Sequence, residues 1–420
     1  MKHQDQLRRV VITGMGVIAA NGQTLDKFWS TIRNGESGAC YLSRFDISKI
    51  PCKVAAEVRD FNPADYMEAK SARRLDPSSQ YGVAAARLAA DDAKIDYSRM
   101  DPDRTGVVEA TSLSNNESAY LAKASFLAKG YRAVPISAMI NGAAGGGSGE
   151  IANELGCKGH AITISSTSAS GNDAMGYAFS MVRNEDVDVM VAGGTEAPLI
   201  ESVWGGFCLN KVLTRHTEDP HTAMRPFDKT RDGFVLGEGA GFVILEELTH
   251  ALSRGAKIYA EVLGHGRSCE AYHPIAPHPE GIGYYRAMQK ALHQAQIHPE
   301  QVDYINAHGT ATEANDLVET RAIKKFFGSH ARKLAISSTK PITGHLMAGA
   351  GALETVVCAL ALSHQEIPMT KNLTEAGDEC DLDYVAGKSR PYPLNVAINL
   401  NSGFGGKNSC LVLRAYRGNP

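Results

Sequence analysis

The chain reads as an α/β protein with mostly parallel strands, built from two related halves. Three observations predict this. Short runs rich in β-branched residues alternate with longer alanine-rich stretches of helical spacing. A strand–turn–helix pattern occurs twice. Nothing resembling a Pro/Ser-rich linker separates the two copies.

The elements follow in order. Residues 10–14 read as a buried strand that ends in a Gly-rich turn, and residues 81–93 carry apolar side chains at helical spacing. Ala161-Ile162-Thr163-Ile164-Ser165-Ser166-Thr167 reads as a strand, followed by Ser168 and a small-residue helix over 169–182. Residues 187–194 read as a buried strand ending in a turn at Gly193-Gly194. The stretch 225–241 is too glycine-rich for a helix and reads as a loop running close to other backbone, with a strand over 242–245 after it. Leu334-Ala335-Ile336-Ser337-Ser338-Thr339-Lys340, then Gly344-His345, then a small-residue helix over 348–362, echo the pattern around Ser168. The expected halves are 1–255 and 256–420.

At 420 residues a large core is possible, and 43% hydrophobic with 21% charged residues is an ordinary globular composition. The net charge of -3 is spread along the chain without a basic stripe, which argues against a nucleic-acid partner. The polar start, residues 1–6, shows no secretory signal, and no apolar run approaches the roughly 18–20 residues of a membrane helix. Eight cysteines stand singly, at 40, 52, 157, 208, 269, 358, 380 and 410. Without CxxC or His/Cys spacing they predict neither zinc nor a disulfide framework, but small buried hydrophobes of a reducing cytoplasm.

Three motifs carry chemistry. In Ile164-Ser165-Ser166-Thr167-Ser168-Ala169-Ser170-Gly171-Asn172 a strand turns into a helix, setting Ser168 at the positive end of a helix dipole or making it the helix N-cap. Asn306-Ala307-His308-Gly309-Thr310-Ala311-Thr312, with Asn315, Asp316 and Glu319 beyond, delivers His308 from a strand into a turn. In Ser338-Thr339-Lys340-Pro341-Ile342-Thr343-Gly344-His345, with Glu354 further on, Lys340 and His345 flank a turn and taken alone pass for exposed residues.

Together these motifs resemble those of the β-ketoacyl-acyl-carrier-protein synthases, in the elongating, ketosynthase II-like branch of the thiolase superfamily. Val11-Ile12-Thr13-Gly14-Met15-Gly16, Val191-Ala192-Gly193-Gly194-Thr195-Glu196, Arg225-Pro226-Phe227-Asp228 and Asn401-Ser402-Gly403-Phe404-Gly405-Gly406 extend the likeness over almost the whole chain. The resemblance implies a thiolase fold with a duplicated α/β/α/β/α five-layer core, a homodimer with sheets joined across the interface, and a substrate carried on the phosphopantetheine arm of an acyl carrier protein. No cofactor or metal bound by the protein itself is implied. It further implies that His308 and His345 hold a malonyl thioester carbonyl, that Lys340 and Glu354 position them, and that Thr310 and Thr312 support the site. Ser402, Gly403, Phe404 and Gly405 would line the oxyanion hole and acyl channel.

Two positions depart from the family pattern. Ser168 stands where the synthases carry a nucleophilic cysteine, and Ser402 where the fatty-acid enzymes usually have a bulky phenylalanine gate; Lys407 follows the glycine loop. A serine hydroxyl is far harder to ionise than a thiol near a helix N-terminus, so acyl transfer suffers. Decarboxylation needs no covalent nucleophile, only donors that stabilise an enolate. The expected activity is therefore decarboxylation of malonyl-carrier protein to acetyl-carrier protein, as in the Ser-type ketosynthase-like decarboxylases of polyketide β-branching cassettes. The alternatives are a condensing synthase bearing an engineered Cys-to-Ser change at 168, an enzyme acylated on Ser168, and a non-catalytic partner resembling a chain-length factor. Lys70, Arg73 and Arg74 are basic candidates for greeting an acidic carrier. The scattered cysteines and the lack of a secretory signal give a cytoplasmic protein as the expectation.

Overall fold

The computed structural model describes residues 7–418 apart from 97, 114–115 and 144. The polar start, residues 1–6, lies outside them. A ten-stranded mixed sheet organises the chain. Its first array contains β1 (Val10–Ala19), β2 (Thr105–Ala110), β3 (Ala161–Ile164), β4 (Val189–Glu196) and β5 (Gly239–Glu247). The second contains β6 (Ala260–Cys269), β7 (Tyr304–Asn306), β8 (Ala335–Ser337), β9 (Val396–Gly403) and β10 (Lys407–Ala415).

In space the first array runs β3-β2-β4-β5-β1 and the second β8-β7-β9-β10-β6. Numbered within each array, both orders are the same, third-second-fourth-fifth-first. The directions repeat too: β2 is parallel to β3 and β4, and β5 antiparallel to β4 and β1. Correspondingly β7 is parallel to β8 and β9, and β10 antiparallel to β9 and β6. Strand pairing joins the arrays where β1 pairs β6, from Val10↔Val262 to Ile12↔Ala260. The expectation of mostly parallel strands is thus corrected to a mixed sheet. The fifth strand of each array returns antiparallel to the fourth, most tightly in β9 and β10, which only Phe404, Gly405 and Gly406 connect.

Helices α1 (Pro77–Asp92), α2 (Gly146–Leu155), α3 (Ser170–Arg183), α4 (Ile282–Ala295), α5 (Glu313–Phe327) and α6 (Ala348–His364) complete the layers. Strand alternation shows which face each covers. Val107, Val191, Phe242 and Ile244 pack with the α1 residues Ala85 and Ala89. Their neighbours Val108, Ala192, Val243 and Leu245 pack with Ala174 and Ala178 of α3 and Leu353 and Val356 of α6. On the second array Ile305, Ile336, Ile398 and Val412 face α4 and α5, whereas Tyr304, Ala335, Ala397 and Leu411 face the same central layer as α3 and α6. The result is the five-layer arrangement, helix–sheet–helix–sheet–helix. Helix α6 is buried on nearly every side, which its almost uninterrupted small and apolar sequence permits.

Two expected strand ends are corrected. β1 does not turn at Gly14 but continues to Ala19, because a Cβ at Gly16 would sit 2.1 Å from the Ala85 carbonyl of α1. Likewise β4 passes through Gly193-Gly194 to Glu196, where a Cβ at Gly193 would lie 2.2 Å from the Phe242 ring. These glycines mark close packing rather than turns. The loop before β5 does run against other backbone as expected, and β5 itself begins at Gly239. Of the cysteines, 52, 358, 380 and 410 are buried and 40, 157 and 208 half-buried, but Cys269 is exposed at the end of β6. No helix among the described residues is long and apolar enough to cross a membrane.

Candidate active site

The matching positions of the two repeats meet between the arrays. β3 leads into the turn before α3, and β8 into the turn before α6. Asn172 and Asn399 clasp this junction: Asn399 Nδ2 donates to Asn172 Oδ1 at 2.9 Å, and Asn172 Nδ2 to the Asn399 carbonyl at 2.9 Å.

The turn carrying Ser168 is strained and held. Thr167 has φ of +57°, unusual for a β-branched residue. Its hydroxyl donates to the Phe404 carbonyl at 3.1 Å. Gly403 lies so close that a Cβ there would stand 2.0 Å from Thr167 Oγ1, so the glycine loop and this turn form one unit. Ser168 is buried but is not the helix cap, since Ala169 occupies that position. The local cap-like contacts belong to Ser170, whose Oγ accepts from the Ser166 N–H at 2.8 Å. Among the described residues the one hydrogen-bond partner of the Ser168 hydroxyl is the Met347 thioether, at 3.9 Å.

A cavity of about 240 Å³ gathers the motifs. Ser168, His308, Thr310, Thr312, His345, Ser402, Gly403 and Phe404 all line it, although they come from both halves of the chain. Gly405 does not line it; its N–H donates to the Pro274 carbonyl at 2.8 Å, tying the glycine loop to the segment that supplies Ile275, Ala276 and Pro277. The His308 and His345 rings lie edge to face with centroids 5.4 Å apart.

Lys340 and His345 are not exposed turn residues. Lys340 has no exposed surface and His345 is 2% exposed. The reason is electrostatic pairing: Lys340 Nζ donates to Glu354 Oε1 at 2.5 Å, and Asn401 Nδ2 to Glu354 Oε2 at 2.7 Å. Burial raises the Glu354 carboxyl above its ordinary range, the ammonium opposing that shift. Burial also drives both imidazoles well below the usual histidine range, and the Lys340 charge pushes them the same way; His345 adds to the effect on His308. Both rings are therefore neutral at pH 7, each with one N–H to donate.

The sequence named Glu319 without giving it a role. Here it accepts the backbone N–H groups of His308 at 2.7 Å and Gly309 at 2.9 Å, fixing the histidine turn from α5. Burial pushes its carboxyl up to about 8. It lies on α5, eleven residues after His308, and that spacing alone assigned it no role. Met347 escaped notice because neither charge nor spacing marks it. No cluster of potential metal ligands occurs among the described residues.

Comparison with known proteins fits this geometry. The model of the "Beta-ketoacyl synthase, N-terminal domain" matches residues 7–251, and that of the "Beta-ketoacyl synthase, C-terminal domain" residues 259–374. The 3-oxoacyl-[acyl-carrier-protein] synthase 2 of Synechocystis is 42% identical over 98% of this chain and 99% of its own. Its Coxiella burnetii counterpart is 42% identical over 97% and 98%. Among solved structures, the ishigamide ketosynthase/chain length factor superposes with a TM-score of 0.91 at 35% identity, covering 98% of this chain and 100% of that one. A Burkholderia phymatum β-ketoacyl synthase gives 0.90 at 32% identity with the same coverage. Matches of this extent, on a thiolase fold with the motif residues around one cavity, establish that the chain belongs to the β-ketoacyl synthase family.

Proposed function

We propose that this ketosynthase homologue decarboxylates malonyl-acyl carrier protein to acetyl-acyl carrier protein, for use in polyketide β-branching. The observation that carries the reading is the pair of buried imidazoles that share one cavity with Ser168, whose hydroxyl has the Met347 thioether as its one hydrogen-bond partner among the described residues. The C2–carboxylate bond breaks, carbon dioxide leaves, and the electron pair moves into the thioester as an enolate. The His308 and His345 N–H groups stabilise the enolate oxygen. A solvent proton then adds at C2. Ser168 shapes the pocket and forms no ester. Lys340 and Glu354 position the histidines, and the Thr310 and Thr312 hydroxyls, 3.0 Å apart, meet the phosphopantetheine arm. Ser402, Gly403 and Phe404 form another part of the wall, with Gly405 anchoring their loop.

The partner is an acyl carrier protein. A related structure, 33% identical with a TM-score of 0.91, is of a type II PKS acyl-carrier protein in complex with its ketosynthase. Lys70 and Arg73 are exposed and suited to an acidic carrier; Arg74 is engaged by Glu150 at 2.6 Å. A second copy, giving a homodimer, would cover the half-exposed outer edge of β3 and the exposed apolar residues Phe126, Leu127, Ile136 and Met139. The halves 1–255 and 256–420 are proposed as products of duplication, supported by the repeated strand order.

The full-length likeness to condensing enzymes favours one second reading, chain elongation. Mass measurement of malonyl-carrier protein after incubation separates the two. Wild type and Ser168→Ala are expected to yield acetyl-carrier at rates within about threefold of each other, with no acyl-enzyme. An adduct on Ser168, or no loss of carbon dioxide, sinks the decarboxylase reading. Ser168→Cys that gains condensation with an acyl donor would favour elongation as the ancestral chemistry. With both imidazoles already neutral, the decarboxylation rate is expected to stay flat from about pH 6 to 7, below the interval in which Glu319, pushed up to about 8, titrates. A bend near an ordinary histidine pKa in that interval would contradict the assigned charge states.

A further inference from the structure

Three lining residues of the cavity, Ser402, Asn315 and His308, share a polar chain that runs behind the wall. At its centre is Tyr284 on α4, one of the largest side chains in the protein with no exposed surface. It does not line the cavity. Its hydroxyl donates to Asn315 Oδ1 at 2.7 Å, and the Ser402 hydroxyl lies beside the same phenol oxygen. Asn315 Nδ2 donates to Asp316 Oδ1 at 3.1 Å and to Glu319 Oε2 at 3.4 Å. Glu319 in turn holds the His308 and Gly309 N–H groups. One phenol thus joins the end of β9 to the histidine turn.

Volume points the same way. Ser402 and Asn315 are small for a pocket wall, and the Tyr284 ring fills the space behind them, packed in the core with Ala287, Met288, Val318 and Ala322. The cavity of about 240 Å³ is smaller than the roughly 300–1,000 Å³ common for sites that take drug-sized ligands. We propose that Tyr284 is a specificity-determining residue: bracing Ser402 and Asn315 from behind, it closes the histidine end of the pocket and restricts it to malonyl- or acetyl-sized units. This rests on the reading of the cavity as an acyl-thioester site, but not on whether that site decarboxylates or condenses.

The test needs no turnover. Dissociation constants of pantetheine amides bearing acetyl, hexanoyl and decanoyl groups are measured by calorimetry. Wild type is expected to bind the acetyl amide at least tenfold more tightly than the decanoyl. In Tyr284→Ala the hexanoyl amide gains at least tenfold relative to acetyl, whereas Tyr284→Phe, which keeps the ring, preserves the length profile. A size exchange guards against a variant that fails to fold. Ser402→Phe alone should crowd Tyr284, lowering both acetyl-amide affinity and melting temperature; Ser402→Phe combined with Tyr284→Ala should restore both. An unchanged length profile in folded Tyr284→Ala, or no rescue in the exchange, overturns the proposal. Failure of every amide to bind wild type overturns the acyl-site reading and this proposal with it.

Discussion

Replacing His308 or His345 by alanine is expected to slow carbon dioxide release from malonyl-carrier protein by roughly 10²–10³-fold, the usual cost of one lost oxyanion donor. The magnitude follows from where the rings sit. Each is almost wholly buried, each is neutral, and both face one cavity of about 240 Å³. Donors fixed in such a site need no reorganisation as charge develops on the thioester oxygen. The contrast with Ser168 decides the matter. Under elongation, Ser168 lies on the reaction path and its loss is as costly as that of either histidine. Under decarboxylation its removal costs little. Single-turnover release of carbon dioxide from the three alanine variants, at matched carrier concentration, measures the difference. A histidine variant within about fivefold of wild type would remove these rings from the mechanism. Circular dichroism of each variant separates this from loss of fold, since Glu319 holds the turn through the His308 backbone and not its ring.

Much of this site was legible because its chemistry lies in turns with distinctive residues. Ser168, His308 and His345 each follow a short strand, and small residues flank each, so the motifs stood out although Ser168 lies more than a hundred residues before either histidine. The duplicated core was legible for the same reason: the pattern before Ser168 recurs before His345. What stayed hidden depends on contacts between distant segments. Gly16 and Gly193 look like turn formers until a helix carbonyl or an aromatic ring occupies the space their Cβ would need. Lys340 looks like a surface residue until Glu354, one helix away, neutralises it. The cap expected at Ser168 falls on Ala169, because the helix begins at Ser170, one residue later than the pattern suggests. Tyr284 is the least legible, as its helix begins more than a hundred residues before Ser402 and carries no motif.

Lys340→Met is expected to cost about 3–5 kcal/mol of stability, because removing one member of a buried ion pair leaves the other charge without compensation. Lys340 has no exposed surface and Glu354 is 3% exposed, so water cannot take over for either. Burial already lifts the Glu354 carboxyl despite the ammonium 2.5 Å away. Without that ammonium the carboxyl would have to take up a proton to remain in place. Combining Lys340→Met with Glu354→Gln removes both charges and keeps an acceptor for Asn401, so most of the loss should return. Urea unfolding of the two single variants and the double forms a cycle that isolates the coupling. The catalytic signature is separate. The Lys340 charge is one of the causes holding both imidazoles below their ordinary range. Its removal makes protonation easier, so the histidine pKa values rise. The pH–rate profile of any folded variant lacking Lys340 should therefore bend at a higher pH than that of wild type. A variant as stable as wild type with the same profile would show that the buried pair neither supports the fold nor sets the charge of the histidines.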